Sequence, residues 1–148
     1  MRLLILATIA IGVTAPALAQ TVPLPPTSVI AARQAAYDLM GATFGAMKRT
    51  IDAKAEVKPF KGGAEAIGKW AEAMPSMFPA GTEQGGNTKA LPAIWSDQAG
   101  FKKAADALTV AAASLAKAAD ANDGAGFASA FQEAGKACGG CHRNFRAK

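Results

Sequence analysis

The chain has 148 residues, 51% of them hydrophobic and 18% charged, and a formal net charge of +5. That is one domain's worth, with enough chain for one real core. Its two cysteines and single histidine fall short of the four N or S ligands of structural zinc, and the modest positive balance suits acidic partners.

Residues 1–19 read as a secretory signal. Arg2 is the charged start, Leu3 to Val13 the apolar run, and Ala17-Leu18-Ala19 the small-residue cleavage site. The run is too short to span a bilayer, although an uncleaved anchor competes for the same residues. The expected mature chain is one domain over residues 20–148, in the periplasm, where nucleic acid is not a partner.

The mature chain predicts four helices joined by Gly- and Pro-rich loops. Ala is abundant, β-branched residues are few, and no long alternation suggests strands. The first helix starts after Pro25-Pro26, with Thr27 or Ser28 as N-cap. Its stripe is Ile30, Arg33, Tyr37, Met40, Phe44, Met47 and Ile51, stepping by three and four as a heptad seam does. The second runs from about Ala64 to Met74 and stops at Pro75, with Ile67, Trp70, Ala71 and Met74 inward.

A long loop follows from Phe78 to Ile94, of a length that is usually functional or mobile. The third helix begins near Ser96-Asp97 and carries Phe101, Ala105, Leu108, Ala112, Leu115 and Ala119 on one face. After a turn at Asp120–Gly124, the fourth carries Phe127, Phe131, Ala134, Cys138, Cys141 and Phe145 in the same steps. Short connections and heptad seams predict an all-α, antiparallel four-helix bundle.

Near its end the chain reads Cys138-Gly139-Gly140-Cys141-His142. C-x-x-C-H is the attachment signature of haem c. Each thiol adds to a porphyrin vinyl group and leaves a thioether. On a helix the two cysteines lie three apart and face one edge of the ring, and His142 can reach the iron. A disulfide or thioredoxin-like redox pair, a zinc site and a chance pair of buried thiols compete. A redox pair normally sits at a helix N-terminus after a strand, and this one ends a helical segment. One covalently attached haem per chain, its ring inside the bundle, is therefore the leading expectation.

Arg33 breaks the apolar stripe of the first helix. A charge there is costly unless paired. It either snorkels to solvent from the helix end or holds a haem propionate, with Gln34 beside it; a guanidinium suits a carboxylate. Tyr37, four residues on, either lies over the haem face opposite His142 or packs as an ordinary core aromatic. No second histidine exists to complete the iron, and Met40, Met47, Met74 and Met77 all fit core or loop packing.

Four stretches together resemble the class II c-type cytochromes, specifically the cytochrome c′ family, over nearly the whole mature chain. They are Ala32-Arg33-Gln34-Ala35-Ala36-Tyr37, Phe78-Pro79-Ala80-Gly81-Thr82-Glu83-Gln84-Gly85-Gly86, Pro92-Ala93-Ile94-Trp95-Ser96-Asp97, and Ala137 through Arg146. The resemblance implies that Cys138 and Cys141 carry the thioethers and that His142 is the proximal iron ligand. It makes Arg33 and Gln34 the propionate-side pair, Asn87 a haem-contacting loop position, and Arg146 the basic residue beside the proximal histidine. Gln84 adds one residue to the family's Gly-Thr-Glu-Gly-Gly loop. The low-spin relatives of the c-556 type carry a ligating Met where this chain has Tyr37.

A periplasmic haem protein with high-spin, five-coordinate iron is thus expected. It would bind nitric oxide and, more weakly, carbon monoxide, and be capable of electron transfer. Tyr37 would be the steric gate. No acid–base dyad is visible and the resemblance implies no enzymatic turnover. Family members commonly form homodimers, for which the first helix and its Leu39 are the expected surface; a periplasmic redox partner is also expected. The alternative is a low-spin, six-coordinate electron carrier of the c-556 type, with Met40 as sixth ligand.

Overall fold

The computed structural model describes residues 24–148, so the segment read as a signal, and the cleavage point before Gln20, lie outside the described residues. Four long helices form an antiparallel four-helix bundle: α1 (Pro26–Asp52), α2 (Lys61–Ala73), α4 (Gln98–Asp120) and α5 (Gly124–Phe145), with a single turn, α3 (Ala93–Ser96), leading into α4. No helix among the described residues is long and apolar enough to cross a membrane.

The helix ends follow local chemistry. α1 begins on Pro26 with Pro25 as N-cap and no side-chain cap, so neither Thr27 nor Ser28 has the capping role expected of them. A proline at the first position brings a preset φ and lacks the N–H that would need a partner. The Pro25 carbonyl accepts from Ser28 N at 2.9 Å. α2 starts three residues before the expected Ala64, because a 3-10 turn over Lys58–Phe60 feeds straight into it. A Cβ on Gly63 would stand 3.2 Å from Thr43 Cγ2, a close approach to α1. At the other end of α2, Pro75 sits in a second 3-10 turn over Met74–Met77. Asp97 and Asp123 cap α4 and α5, accepting from Gly100 N and Gly126 N, each at 2.9 Å.

All six inward positions expected on α4 are buried. They pack against Ile67 and Ala71 of α2 and Phe127 and Ala134 of α5. At one end Phe101 stands edge-on to Phe78 (5.1 Å between centroids) and to Phe145 (5.2 Å), joining the long loop to α4 and α5. At the other end Asn122, with φ +48°, accepts from Val57 N (3.0 Å) and Lys58 N (3.2 Å). One turn residue thereby ties the α1–α2 connection to the α4–α5 turn.

The α1 seam is buried at Ile30, Arg33 and Met47, whereas Tyr37, Met40 and Phe44 between them are only half-buried. Those middle positions pack against neighbouring helices on one side, Tyr37 on Trp70 of α2 and Phe44 on Phe131 of α5, and line a cavity on the other. Cys138 and Cys141 on α5 are likewise half-buried and line it.

Candidate haem site

The cavity measures about 620 Å³. Tyr37, Met40 and Phe44 contribute to its wall from α1, Leu108 from α4, and Cys138, Cys141 and His142 from α5. Its size is that of a pocket for a small organic ligand. Both cysteines and the histidine named by the motif line it together.

Cys138 and Cys141 are free, half-buried thiols. Burial pushes both above the ordinary thiol pKa, and Cys138 raises Cys141 further. A redox pair favours thiolate and sits at a helix N-terminus, whereas these two lie near the C-terminal end of α5. Among the described residues no three His, Cys, Asp or Glu side chains converge on a metal ion. The donor set fits iron that brings its own four ring nitrogens: two thiols for thioethers and one imidazole for an axial bond.

Burial, with the charge of Arg146 adding to it, holds His142 below the ordinary histidine pKa. The neutral imidazole so favoured is the form that ligates metal. Arg146 itself leaves the helix at its C-cap with extended backbone and lines the cavity. It pairs with Ala90 in an isolated antiparallel bridge. Leu91 N donates to Phe145 O (3.1 Å) and Ala147 N to Lys89 O (2.8 Å). The end of α5 is thus zipped to the long loop, a contact the sequence reading missed.

Arg33 is only 2% exposed, which removes the snorkelling alternative. Its Nη1 donates to Met77 O (3.3 Å) and Thr82 Oγ1 (2.9 Å), and its Nη2 to Thr82 O (2.7 Å) and Thr88 Oγ1 (3.1 Å). The guanidinium also lies 4.3 Å from the Phe78 ring centre. Gln34 Nε2 donates to Gly86 O at 2.8 Å. Both side chains line the cavity, yet their hydrogen bonds clamp the 78–90 loop onto α1. Burial lowers the Arg33 pKa from its ordinary value, against smaller opposing effects of Tyr37 and Glu83.

Tyr37 lines the cavity and stands edge-on to Trp70, with ring centres 5.7 Å apart and planes at 88°. Burial pushes its phenol well above the ordinary range, Cys141 acts the same way and Arg33 opposes. The hydroxyl therefore stays protonated. Trp70, read from the sequence as core, has a buried Nε1 without a hydrogen-bond partner. Met40, the sixth ligand of the alternative, also lines the cavity.

Asn87 is exposed in a left-handed backbone conformation (φ +54°) and is not part of the cavity wall. The added Gln84 sits in the same turn, and the next two residues, Thr88 and Lys89, face the cavity instead. They follow the Gly-Gly-Asn turn directly, and only their place after it could have pointed to them.

A four-helix bundle that turns two cysteines and a histidine of its last helix into one apolar cavity has the architecture of a class II c-type cytochrome. The family model described as cytochrome c′ matches residues 28–146, and the chain belongs to the cytochrome c′ family. It is 39% identical over 128 residues to cytochrome c′ of Rubrivivax gelatinosus, spanning 83% of this chain and 97% of that one. It is 38% identical over 96 residues to cytochrome c-556 of Agrobacterium tumefaciens, spanning 62% of this chain and 76% of that one. Among solved structures it resembles the nitric oxide complex of a cytochrome c prime mutant from Alcaligenes xylosoxidans. That match has a TM-score of 0.74 at 33% identity and covers 83% of this chain and 96% of the other.

Proposed function

We propose that the chain carries one covalent haem c on Cys138 and Cys141, with His142 as the protein's single axial ligand, and that it binds nitric oxide and carbon monoxide on the other face. The observation that carries this is Tyr37, a protonated phenol on the cavity wall at the position where the c-556 type carries a thioether. A neutral phenol is a poor iron ligand, so the ring guards a coordination position rather than filling it. The nitric oxide complex of the Alcaligenes relative supports the ligand class.

Bound haem supplies an iron centre that takes gas ligands and changes oxidation state. The chain's own residues do the rest. Cys138 and Cys141 fix the ring in the cavity, and His142 enters as a neutral base. Phe44 and Leu108 limit water on the apolar wall, Arg33 and Gln34 stand on the cavity wall while their donors hold the 78–90 loop, and Arg146 brings a positive group toward the proximal side. The proposed setting is the periplasm, with a homodimer formed through α1, where Leu39 is 71% exposed.

The visible spectrum of the ferrous holoprotein tests the assignment. A high-spin spectrum that changes on adding nitric oxide is expected. A low-spin, six-coordinate ferrous spectrum would instead establish the c-556-type reading, which Met40 on the cavity wall and the Agrobacterium relative favour. Haem lost to acid-acetone extraction would end the covalent assignment.

A further inference from the structure

Arg33 places a full positive charge in the interior with no carboxylate in ion-pair contact. Its four hydrogen bonds all go to neutral oxygens, on Met77, Thr82 and Thr88, and none of the ion pairs among the described residues includes it. A buried charge satisfied only by neutral dipoles is still costly, and an anion nearby would offset that cost. Four of its five N–H groups are already committed, so it has no paired fork left to present to a carboxylate.

Thr88 offers the missing donor. A hydroxyl has two lone pairs and one proton. Thr88 Oγ1 accepts from Arg33 Nη2 at 3.1 Å and from Ala90 N at 3.2 Å, which uses both lone pairs. Its proton has no acceptor among the described residues. The side chain is half-buried and lines the cavity, whose other walls include Phe44, Phe78, Phe101 and Leu108. A largely apolar chamber with this spare hydroxyl proton on its wall, backed by a buried cation and flanked by Lys89 and Arg146, fits a ligand with an apolar body and an anionic rim.

We infer that Thr88 donates its hydroxyl proton to a carboxylate of the haem, with Arg33 supplying the charge behind it. This rests on the haem reading above. Arg33 acts through Thr88: its N–H polarises the oxygen and strengthens the outgoing O–H donor, as in any hydrogen-bond chain inside a low-dielectric wall. Thr88 is thus a binding residue, and Arg33 holds it in place.

The test compares the wild-type holoprotein with Thr88→Val and Thr88→Ser, using resonance Raman spectra in the propionate-bending region and the ferric/ferrous equilibrium at neutral pH. Thr88→Val keeps the shape and removes the hydroxyl, both its proton and the oxygen that accepts from Arg33 and Ala90. It should move the propionate band and shift the equilibrium roughly threefold to tenfold toward ferric, since a less compensated carboxylate favours the more positive iron. Thr88→Ser should restore both. Wild-type behaviour in Thr88→Val, with haem still covalently attached, overturns the inference and leaves the haem assignment standing. An equal shift in the Ser variant also overturns it, because the hydroxyl is then not the cause. If added acetate moves the wild-type band as the Val variant does, the site takes free carboxylate and the propionate assignment fails. A wild-type chain without covalent haem ends both.

Discussion

Replacing Arg33 with Met tests whether the clamp on the 78–90 loop has the strength its geometry implies. Met has a comparable unbranched stem and adapts to irregular space, so the change removes mainly the guanidinium. The two bonds to Thr82, at 2.9 and 2.7 Å, are fully buried, whereas those to Met77 and Thr88 are partly open to water. At about 1.5 kcal/mol for each buried charged bond and about 0.5–1 kcal/mol for the contact with Phe78, the gross loss is roughly 3–4 kcal/mol. Relief of the guanidinium's own desolvation returns on the order of half of that. The net cost is about 2 kcal/mol, a factor of roughly thirty in an opening equilibrium. Hydrogen exchange at the Thr82 and Thr88 amides, which bond to Pro79 O and Gly85 O, reads that equilibrium locally. Exchange roughly thirtyfold faster in the variant, with the amides of α4 unchanged, is the expected result. Acceleration of less than threefold would show that the four hydrogen bonds contribute little and that the loop is held by Phe78 and its neighbours instead.

Truncating Tyr37 to Ala should open the cavity and raise carbon monoxide affinity by roughly tenfold or more, about 1.4 kcal/mol; unchanged affinity and on-rate in flash photolysis would reduce Tyr37 to packing. Tyr37 is the chain's single tyrosine, and its pKa is raised by burial. The folded state therefore keeps the proton that the unfolded state loses near pH 10, so this contribution is full below pH 10 and declines as pH rises beyond it. Tyrosinate absorbance should then appear together with the loss of helical circular dichroism, and tyrosinate near pH 10 in an intact bundle would contradict the burial. Gly86→Ala puts a Cβ 2.9 Å from Ile30 Cγ2 at a φ of +54°, which should cost about 1–3 kcal/mol in denaturant unfolding. Gly81→Ala, at φ +87° with open space around it, isolates the backbone part at about 1 kcal/mol, and equal losses in the two variants would show the contact with Ile30 to be irrelevant.

The parts of the fold that carry a period were legible. α4 repeats apolar residues at steps of three and four between an Asp cap and a left-handed Asn, and each predicted inward residue is buried. The α1 seam was equally regular, but regularity does not say what the seam faces. Only the structure separates Ile30 and Met47, fully enclosed by protein, from Met40 and Phe44, which are half-buried and line the cavity. Short, aperiodic elements left no such signal. α3 is four residues long, and the Ala90–Arg146 bridge joins one residue to one residue.

Why the candidate attachment residues were readable and their surroundings were not is a matter of chain distance. Cys138, Cys141 and His142 fall within five residues of one helix, and their chemistry requires that spacing. The polar groups around them are recruited from far along the chain. Arg33 reaches partners 44 to 55 residues away, and Gln34 reaches Gly86 O, 52 residues away. A sequence can mark Arg33 as a charge on an apolar face, which says that a partner must exist, but no pattern names Thr82 or Thr88. On the proposed reading this division has a physical basis. Two covalent bonds already hold the ring, so the side chains of α1 are released from anchoring it. Arg33 and Gln34 can then spend their donors on the 78–90 loop, and Tyr37, braced against Trp70, can be placed for what it keeps out.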